Sequence, residues 1–438
     1  MLKDTFCSSP WFHLRIDPAG NYLPCRWDTS FTKSSHNISN TSLSEYMNSD
    51  VMNSLRTQLL NGEDPNICGS CRYEDKQHKV SGRRRQLLKS AIDIENFDKT
   101  LCGSPQWDQF LYSHNNQGKT YNQPLDLQID LGNTCNSSCI MCTPTYSSKL
   151  YSEYVKMNAI EPLLFKLTGK FSNWADDPAL IDKFIRELYL IPSIKYIHFL
   201  GGETLYLKSF YDICNQLIAN GSAKNISLGT TTNCTIYNSE LESIIKGFKH
   251  VHLGLSIESL HPINDYIRWP SKMNIILDNI RKFILLREQT GLHLSLRITP
   301  SIFSIYHIDT IFEFMIENSI IAESCNILQE PSYLRLELLP KNIIEQILDK
   351  INIIIDKHNL IPNNQAIINR RREDLINPVI VDVIFEYKYL LETYQAPHDI
   401  EKNRYDLVKF IKAFESLHKN NILDYLPEYE KFLRSYGY

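Results

Sequence analysis

The stretch that decides the fold reads Leu125-Asp126-Leu127-Gln128-Ile129-Asp130-Leu131-Gly132-Asn133-Thr134-Cys135-Asn136-Ser137-Ser138-Cys139-Ile140-Met141-Cys142. Its first seven residues alternate apolar and polar, the period of a strand with one hydrophobic face. A glycine turns the chain, and three cysteines follow as C-x3-C-x2-C. Three thiolates can ligate three irons of a cubane and leave the fourth open, whereas an electron-transfer cluster normally takes four protein ligands. A zinc site completed by a distant histidine is the other chemistry this spacing allows.

Downstream of this stretch, strand-like runs alternate with helix-length segments. The strands are expected at 125–131, 194–200, 226–232, 251–257, 294–299 and 325–329, with helices around 210–219, 238–248, 273–288 and 309–317. Consecutive βα units make a parallel sheet, and six of them make a partial barrel. The cysteine loop then sits at the C-terminal end of a strand, where barrel active sites are built. Val251, Leu253, Leu255 and Ile257 alternate with His252, Gly254, Ser256 and Glu258, and Leu294, Leu296 and Ile298 alternate with Ser295, Arg297 and Thr299. Parallel strands buried on both faces read as continuous apolar runs, so this alternation implies a polar inner face and an interior wide and wet enough for a ligand. An antiparallel sheet with one solvated face would alternate in the same way.

Upstream, residues 1–90 read as a small loop-rich unit, with turns at Pro18-Ala19-Gly20 and Asn61-Gly62, one helical pattern over 43–60 and little core of its own. Residues 91–122 read as a linker, 123–335 as the barrel and 336–438 as a helical region, with helices expected at 343–358, 379–393 and 405–418. Cys7, Gly20 and Cys25 form C-x12-G-x4-C, and Cys68 and Cys71 form C-x2-C. Four thiolates close one metal site, which zinc or an iron–sulfur cluster satisfies equally.

The remaining composition narrows the class. A chain of 438 residues with 43% hydrophobic content buries two or three cores. Its net charge of −4 gives no basic footprint of a nucleic-acid binder, and the local run Arg83-Arg84-Arg85 reads as a solvated surface face. No run of apolar residues is long enough to span a bilayer, and Met1-Leu2-Lys3-Asp4 leads towards Cys7 without an apolar signal core, so a cytoplasmic protein is expected. In that reducing compartment eleven cysteines are not a disulfide framework. Seven fall in the two spaced sets; Cys102, Cys214, Cys234 and Cys325 are isolated and expected to be buried or incidental.

The three-cysteine motif at this position resembles that of the radical S-adenosylmethionine superfamily, and further motifs fall in order along the barrel. Gly201-Gly202-Glu203 is similar to the family segment whose backbone receives the methionyl amino group; glycines allow that close approach. Thr232 and Asn233 match a Thr-Asn element near the cofactor. Ser256, with Arg268 twelve residues on, resembles the pair that contacts the cofactor's ribose and carboxylate in members acting on peptides. Met141 stands where the family often has an aromatic residue, and its soft side chain can pack against adenine. The N-terminal cysteine pattern resembles the SPASM or twitch auxiliary-cluster modules, although these usually follow the barrel, and residues 72–89 lack the further cysteines of the longer SPASM version.

The resemblance implies a [4Fe-4S] cluster at Cys135, Cys139 and Cys142 binding S-adenosylmethionine. It also implies a second, auxiliary [4Fe-4S] cluster rather than zinc at Cys7, Cys25, Cys68 and Cys71. The implied reaction is reductive cleavage to a 5'-deoxyadenosyl radical, which abstracts hydrogen from a peptide or small polar substrate in an oxidation, cross-link or dehydrogenation. Flavodoxin or ferredoxin is the expected kind of one-electron reductant. Two other readings remain open here: a non-catalytic iron–sulfur scaffold and an RNA-modifying radical enzyme. No general acid or base is assigned; His198, His252, Glu258 and Arg297 are inner-face candidates to bind or deprotonate substrate.

Overall fold

The computed structural model describes residues 5–26, 35–76, 81–83, 105–121, 123–161, 173–325, 328–362, 380–393 and 398–438. They divide into two compact units, Met1–Gly132 with Phe171–Thr230 and Ser243–Val251, and Asn133–Lys170 with Thr231–Glu242 and His252–Tyr438. The class is α/β, with eight strands in a mostly parallel sheet that stays open as a partial barrel.

In the first unit the strands are β1 (His13–Ile16), β2 (Tyr22–Leu23), β3 (Asp126–Asp130), β4 (Tyr196–Leu200) and β5 (Ser227–Thr232), whose last two residues count with the second unit. They lie in the order β2-β1-β3-β4-β5, all parallel except the β1/β2 hairpin. β1 and β2 were not anticipated, because four and two residues are too short to show a period. They nevertheless extend the sheet: His13 and Arg15 stand in register with Asp126 and Gln128 of β3. The polar face of β3 is consequently not wet. Asp130 is fully buried and accepts from Arg15 Nη2 at 2.6 Å and Nε at 3.2 Å, while Asp126 accepts from Arg26 at 3.0 Å. Burial raises the Asp130 pKa, and Arg15 works against that shift.

The N-terminal region has more core than its sequence suggests. Phe6, Trp11, Phe12, Leu55, Leu59 and Phe110 form one buried cluster. Phe110 meets Phe6 and Trp11 edge-on at 5.0 Å, and the Trp11 indole N–H donates to Ser113 Oγ at 2.8 Å. Phe110 and Ser113 lie on a helix, Pro105–Asn115, within the stretch expected to be a linker. The expected helix over 43–60 is two helices, Leu43–Met47 and Asp50–Leu60. The break falls at Ser49, whose hydroxyl accepts from the Met52 N–H and starts the second helix. Arg56 of that helix is fully buried and donates to the carbonyls of Pro10, Met47 and Gly118 at 2.9, 2.6 and 3.1 Å. Gly118 has φ +78°, and a Cβ there would lie 2.0 Å from the Asn53 carbonyl oxygen, so only glycine fits.

In the second unit, β6 (His250–Ser256, its first two residues counting with the first unit), β7 (His293–Ile298) and β8 (Ile321–Cys325) pair in parallel. The last strand begins four residues before the expected 325–329. Helices Met273–Thr290 and Ile308–Asn318 form as the apolar spacing predicts, whereas Ser148–Asn158, after the cysteine loop, was not anticipated. The C-terminal helices Lys341–Lys357, Ile380–Glu392 and Ile400–His418 are close to expectation. Ile343, Ile347, Ile351 and Ile354 make one buried stripe, and the Tyr429 hydroxyl donates to Ile302 O at 2.8 Å beyond β7.

Candidate cluster and cofactor sites

In the second unit, the loop from Cys135 to Cys142 has no regular structure of its own and is fixed by what it touches. The N–H groups of Ser138 and Ile140 donate to the carbonyls of Trp269 and Ile267 at 2.7 and 3.0 Å. Asn233 Nδ2 donates to Asn136 Oδ1 and Ser137 Oγ at 2.8 and 3.0 Å, and the Ser147 hydroxyl donates to Ser137 O at 2.8 Å. Held in this way, Cys139 is buried and Cys135 and Cys142 are half-buried. Burial first, then the neighbouring Cys139 and Cys135 thiols, push the Cys142 pKa up to about 12. A thiol that resists ionising beside two others suits a site where iron supplies the compensating charge.

Arg268 lies against this loop. It is buried, its Nε and Nη2 donate to the two carboxylate oxygens of Glu258, and Nη1 donates to Cys139 Sγ at 3.5 Å. Burial by itself would lower the Arg268 pKa, but Glu258, and behind it Cys139, outweigh burial and raise it. Glu258 and Trp269 are therefore parts of the loop's support; Glu258 stood in the sequence only as an inner-face candidate and Trp269 not at all. The adjacency of Trp269 to Arg268 was the one signal available.

The other expected residues are found as follows. Thr232 is buried and its Oγ1 accepts from the Cys234 N–H at 3.1 Å, while Ser256 ends β6 in register with Arg297. Arg297 crosses Gly254, where a Cβ would lie 2.9 Å from Arg297 Cγ and 3.2 Å from Thr231 Oγ1. His252 shares a hydrogen bond of 2.8 Å with Ser295 of the neighbouring strand. Gly201, Gly202 and Glu203 belong to the first unit. There the Gly202 N–H donates to Gly132 O at 3.0 Å, and Glu203 is buried with Oε1 accepting from the Leu205 N–H at 3.2 Å. His198, also in the first unit, is buried with Nδ1 3.0 Å from the Tyr196 hydroxyl.

Cys7, Cys25, Cys68 and Cys71 line one cavity, together with Leu55 and Leu59. Burial, then the Cys25 thiol, raise the Cys7 pKa well above its usual value, with Cys68 and Cys71 adding to the effect. Burial and Cys71 push Cys68 up to about 11. Among the described residues no three cysteine, histidine or acidic side chains converge closely enough to hold a single metal ion. Four thiols around one cavity match the four thiolate ligands of a fully ligated cubane. Arg83 lines it too, bonded to Asp75 and to Thr5 O, and is not the solvated residue expected from the Arg83-Arg84-Arg85 run; Arg84 and Arg85 lie outside the described residues. Cys214 and Cys234 are buried, as expected of isolated thiols. Cys102 and the side chain of Cys325 lie outside the described residues.

Residues 129–287 match the radical SAM superfamily, so this part of the chain is a radical S-adenosylmethionine domain, with the [4Fe-4S] cluster and S-adenosylmethionine that such a domain implies. Residues 7–72 match the SPASM iron–sulfur cluster-binding domain, so an auxiliary-cluster module precedes the radical domain. Among solved structures the chain is similar to Streptococcus suis SuiB bound to the precursor peptide SuiA. That chain is 13% identical, with 82% of this chain and 70% of that one covered and a TM-score of 0.37. It is also similar to anSMEcpe with bound AdoMet, 16% identical over 54% of this chain and 62% of that one, with a TM-score of 0.35. No curated protein matches. The assignment rests on the two domain matches. Among the described residues no helix is long and apolar enough to cross a membrane.

Proposed function

We propose that this protein cleaves S-adenosylmethionine reductively and abstracts a hydrogen atom from a peptide or small polar substrate, in an oxidation, cross-link or dehydrogenation. The observation that carries the reading is the loop of Cys135, Cys139 and Cys142: three thiols, braced by Asn233, Arg268 and Trp269, with one iron of a cubane left for a non-protein ligand. When bound, the cluster and cofactor supply the electron and the 5'-deoxyadenosyl radical. The protein's own part is to orient and shield.

Gly201, Gly202, Glu203, Thr232, Asn233 and Ser256 are the residues assigned to the cofactor. Asn233 does so while its amide pins the cysteine loop. Arg268 stands with them in the family pattern, but its fork is taken by Glu258 and Cys139. Cys7, Cys25, Cys68 and Cys71, within an auxiliary unit at 1–90, are assigned a fully ligated [4Fe-4S] cluster that relays an electron, with flavodoxin or ferredoxin as reductant. Residues 91–122 connect it to a barrel at 123–335, followed by the helical region 336–438. Seven metal-binding thiols suit a reducing cytoplasm.

Anaerobic reconstitution should give iron and sulfide close to two cubanes, and dithionite should yield 5'-deoxyadenosine. Changing Cys135, Cys139 and Cys142 together to alanine should abolish that product; retained cleavage would sink the proposal.

A further inference from the structure

Arg268 follows the short helix Ile263–Ile267 and is buried with its charge balanced by a single carboxylate. Glu258 has no exposed surface, and its backbone N–H donates to Asn264 Oδ1 at 3.2 Å, so the acid is fixed from both ends. With Nε and Nη2 committed to Glu258, the remaining edge of the guanidinium, Nη1, points at Cys139 Sγ. A buried ion pair contributes little net stability once its desolvation is counted. Stability alone therefore does not explain an ion pair whose free donor is aimed at a thiol.

We propose that Arg268 is a positioning residue that sets the reduction potential of the cluster at Cys135, Cys139 and Cys142, with Glu258 aiming it and offsetting its charge; this rests on the cluster reading above. One-electron reduction adds negative charge to the cubane and its thiolates. A donor to a ligand sulfur stabilises the reduced form and raises the potential, and hydrogen bonds to the sulfurs are among the established determinants of cluster potentials. The carboxylate of Glu258 acts in the opposite sense. Removing the two partners should therefore move the potential in opposite directions, which loss of a merely structural pair would not do.

The test is a redox titration of the reconstituted full-length protein, followed by electron paramagnetic resonance of the reduced cluster. The signal of the N-terminal cluster is taken from the variant with Cys135, Cys139 and Cys142 all changed to alanine and subtracted. Arg268→Met should shift the potential to more negative values, and Glu258→Gln, which leaves the guanidinium uncompensated, to more positive ones. The double variant Arg268→Met/Glu258→Gln leaves no buried lone charge and should shift negatively like Arg268→Met, which keeps the test alive if the single change loses the cluster. Unchanged potentials, shifts of the same sign in Arg268→Met and Glu258→Gln, or loss of the cluster in every variant would overturn the proposal in favour of a structural pair. A wild-type signal that survives the triple alanine change would instead bring down the cluster reading itself.

Discussion

Cys135, Cys139 and Cys142 lie within one stretch of eight residues, whereas the thiols around the N-terminal cavity come from positions 7, 25, 68 and 71. The first set needs only a loop held still, and backbone and amide hydrogen bonds from Asn233, Ile267 and Trp269 do that. The second needs several segments brought together, and a hydrophobic cluster does that: Leu55 and Leu59 line the cavity and also belong to the core around Trp11 and Phe110. A metal site made from one loop depends on local polar contacts, while one assembled from distant positions depends on packing. The two sites should therefore fail in different ways when each kind of support is removed.

The largest expected contrast comes from the ligands themselves. Cys68→Ala/Cys71→Ala should cost the auxiliary cluster, read as loss of about half the bound iron, while dithionite-driven formation of 5'-deoxyadenosine persists. Loss of that product together with the auxiliary iron would show that the two sites do not stand independently. Next comes packing. Phe110→Ala removes a ring that meets both Phe6 and Trp11, and a buried Phe→Ala change costs about 3–5 kcal/mol. The first urea transition should move to lower concentration, with auxiliary iron lost before the iron of the Cys135 loop. The smallest effect is expected at Asn233→Ala, which removes the amide that donates to Asn136 Oδ1 and Ser137 Oγ at a cost of about 1–3 kcal/mol. Amide hydrogen exchange over residues 135–142 should quicken while the urea transition of the N-terminal region stays in place.

The same contrast explains what was legible beforehand. Strands β3, β6 and β7 carry a period of 2, β4 and β5 read as short strand-like runs, and all five lie within a residue or two of the expected ends; the helices from β4 to β7 follow their apolar spacing, whereas Ser148–Asn158 between β3 and β4 does not announce itself. The Cys135 loop was legible because its chemistry is written in consecutive residues. β1 and the helix Pro105–Asn115 were not, because each is short or weakly patterned and is held by a partner far along the chain: His13 by register with Asp126, and Phe110 by Phe6 and Trp11. The wet inner face expected of β3 is replaced by the Arg15–Asp130 pair, 115 residues apart, which no local reading could join.

By itself, then, the sequence carried the class of chemistry, through a three-cysteine motif and further motifs along the chain that together resemble one superfamily, and it determined the α/β order, since hydrophobic period is a local property. Only the tertiary structure decided which side chains support those cysteines. It turned Arg268 from a residue at a suggestive spacing into a guanidinium held by Glu258 against Cys139, and Arg83 from a surface charge into part of the four-thiol cavity. The reason is physical: the environment of a buried charge is set by whichever distant groups share its low-dielectric surroundings, and chain spacing carries no record of them.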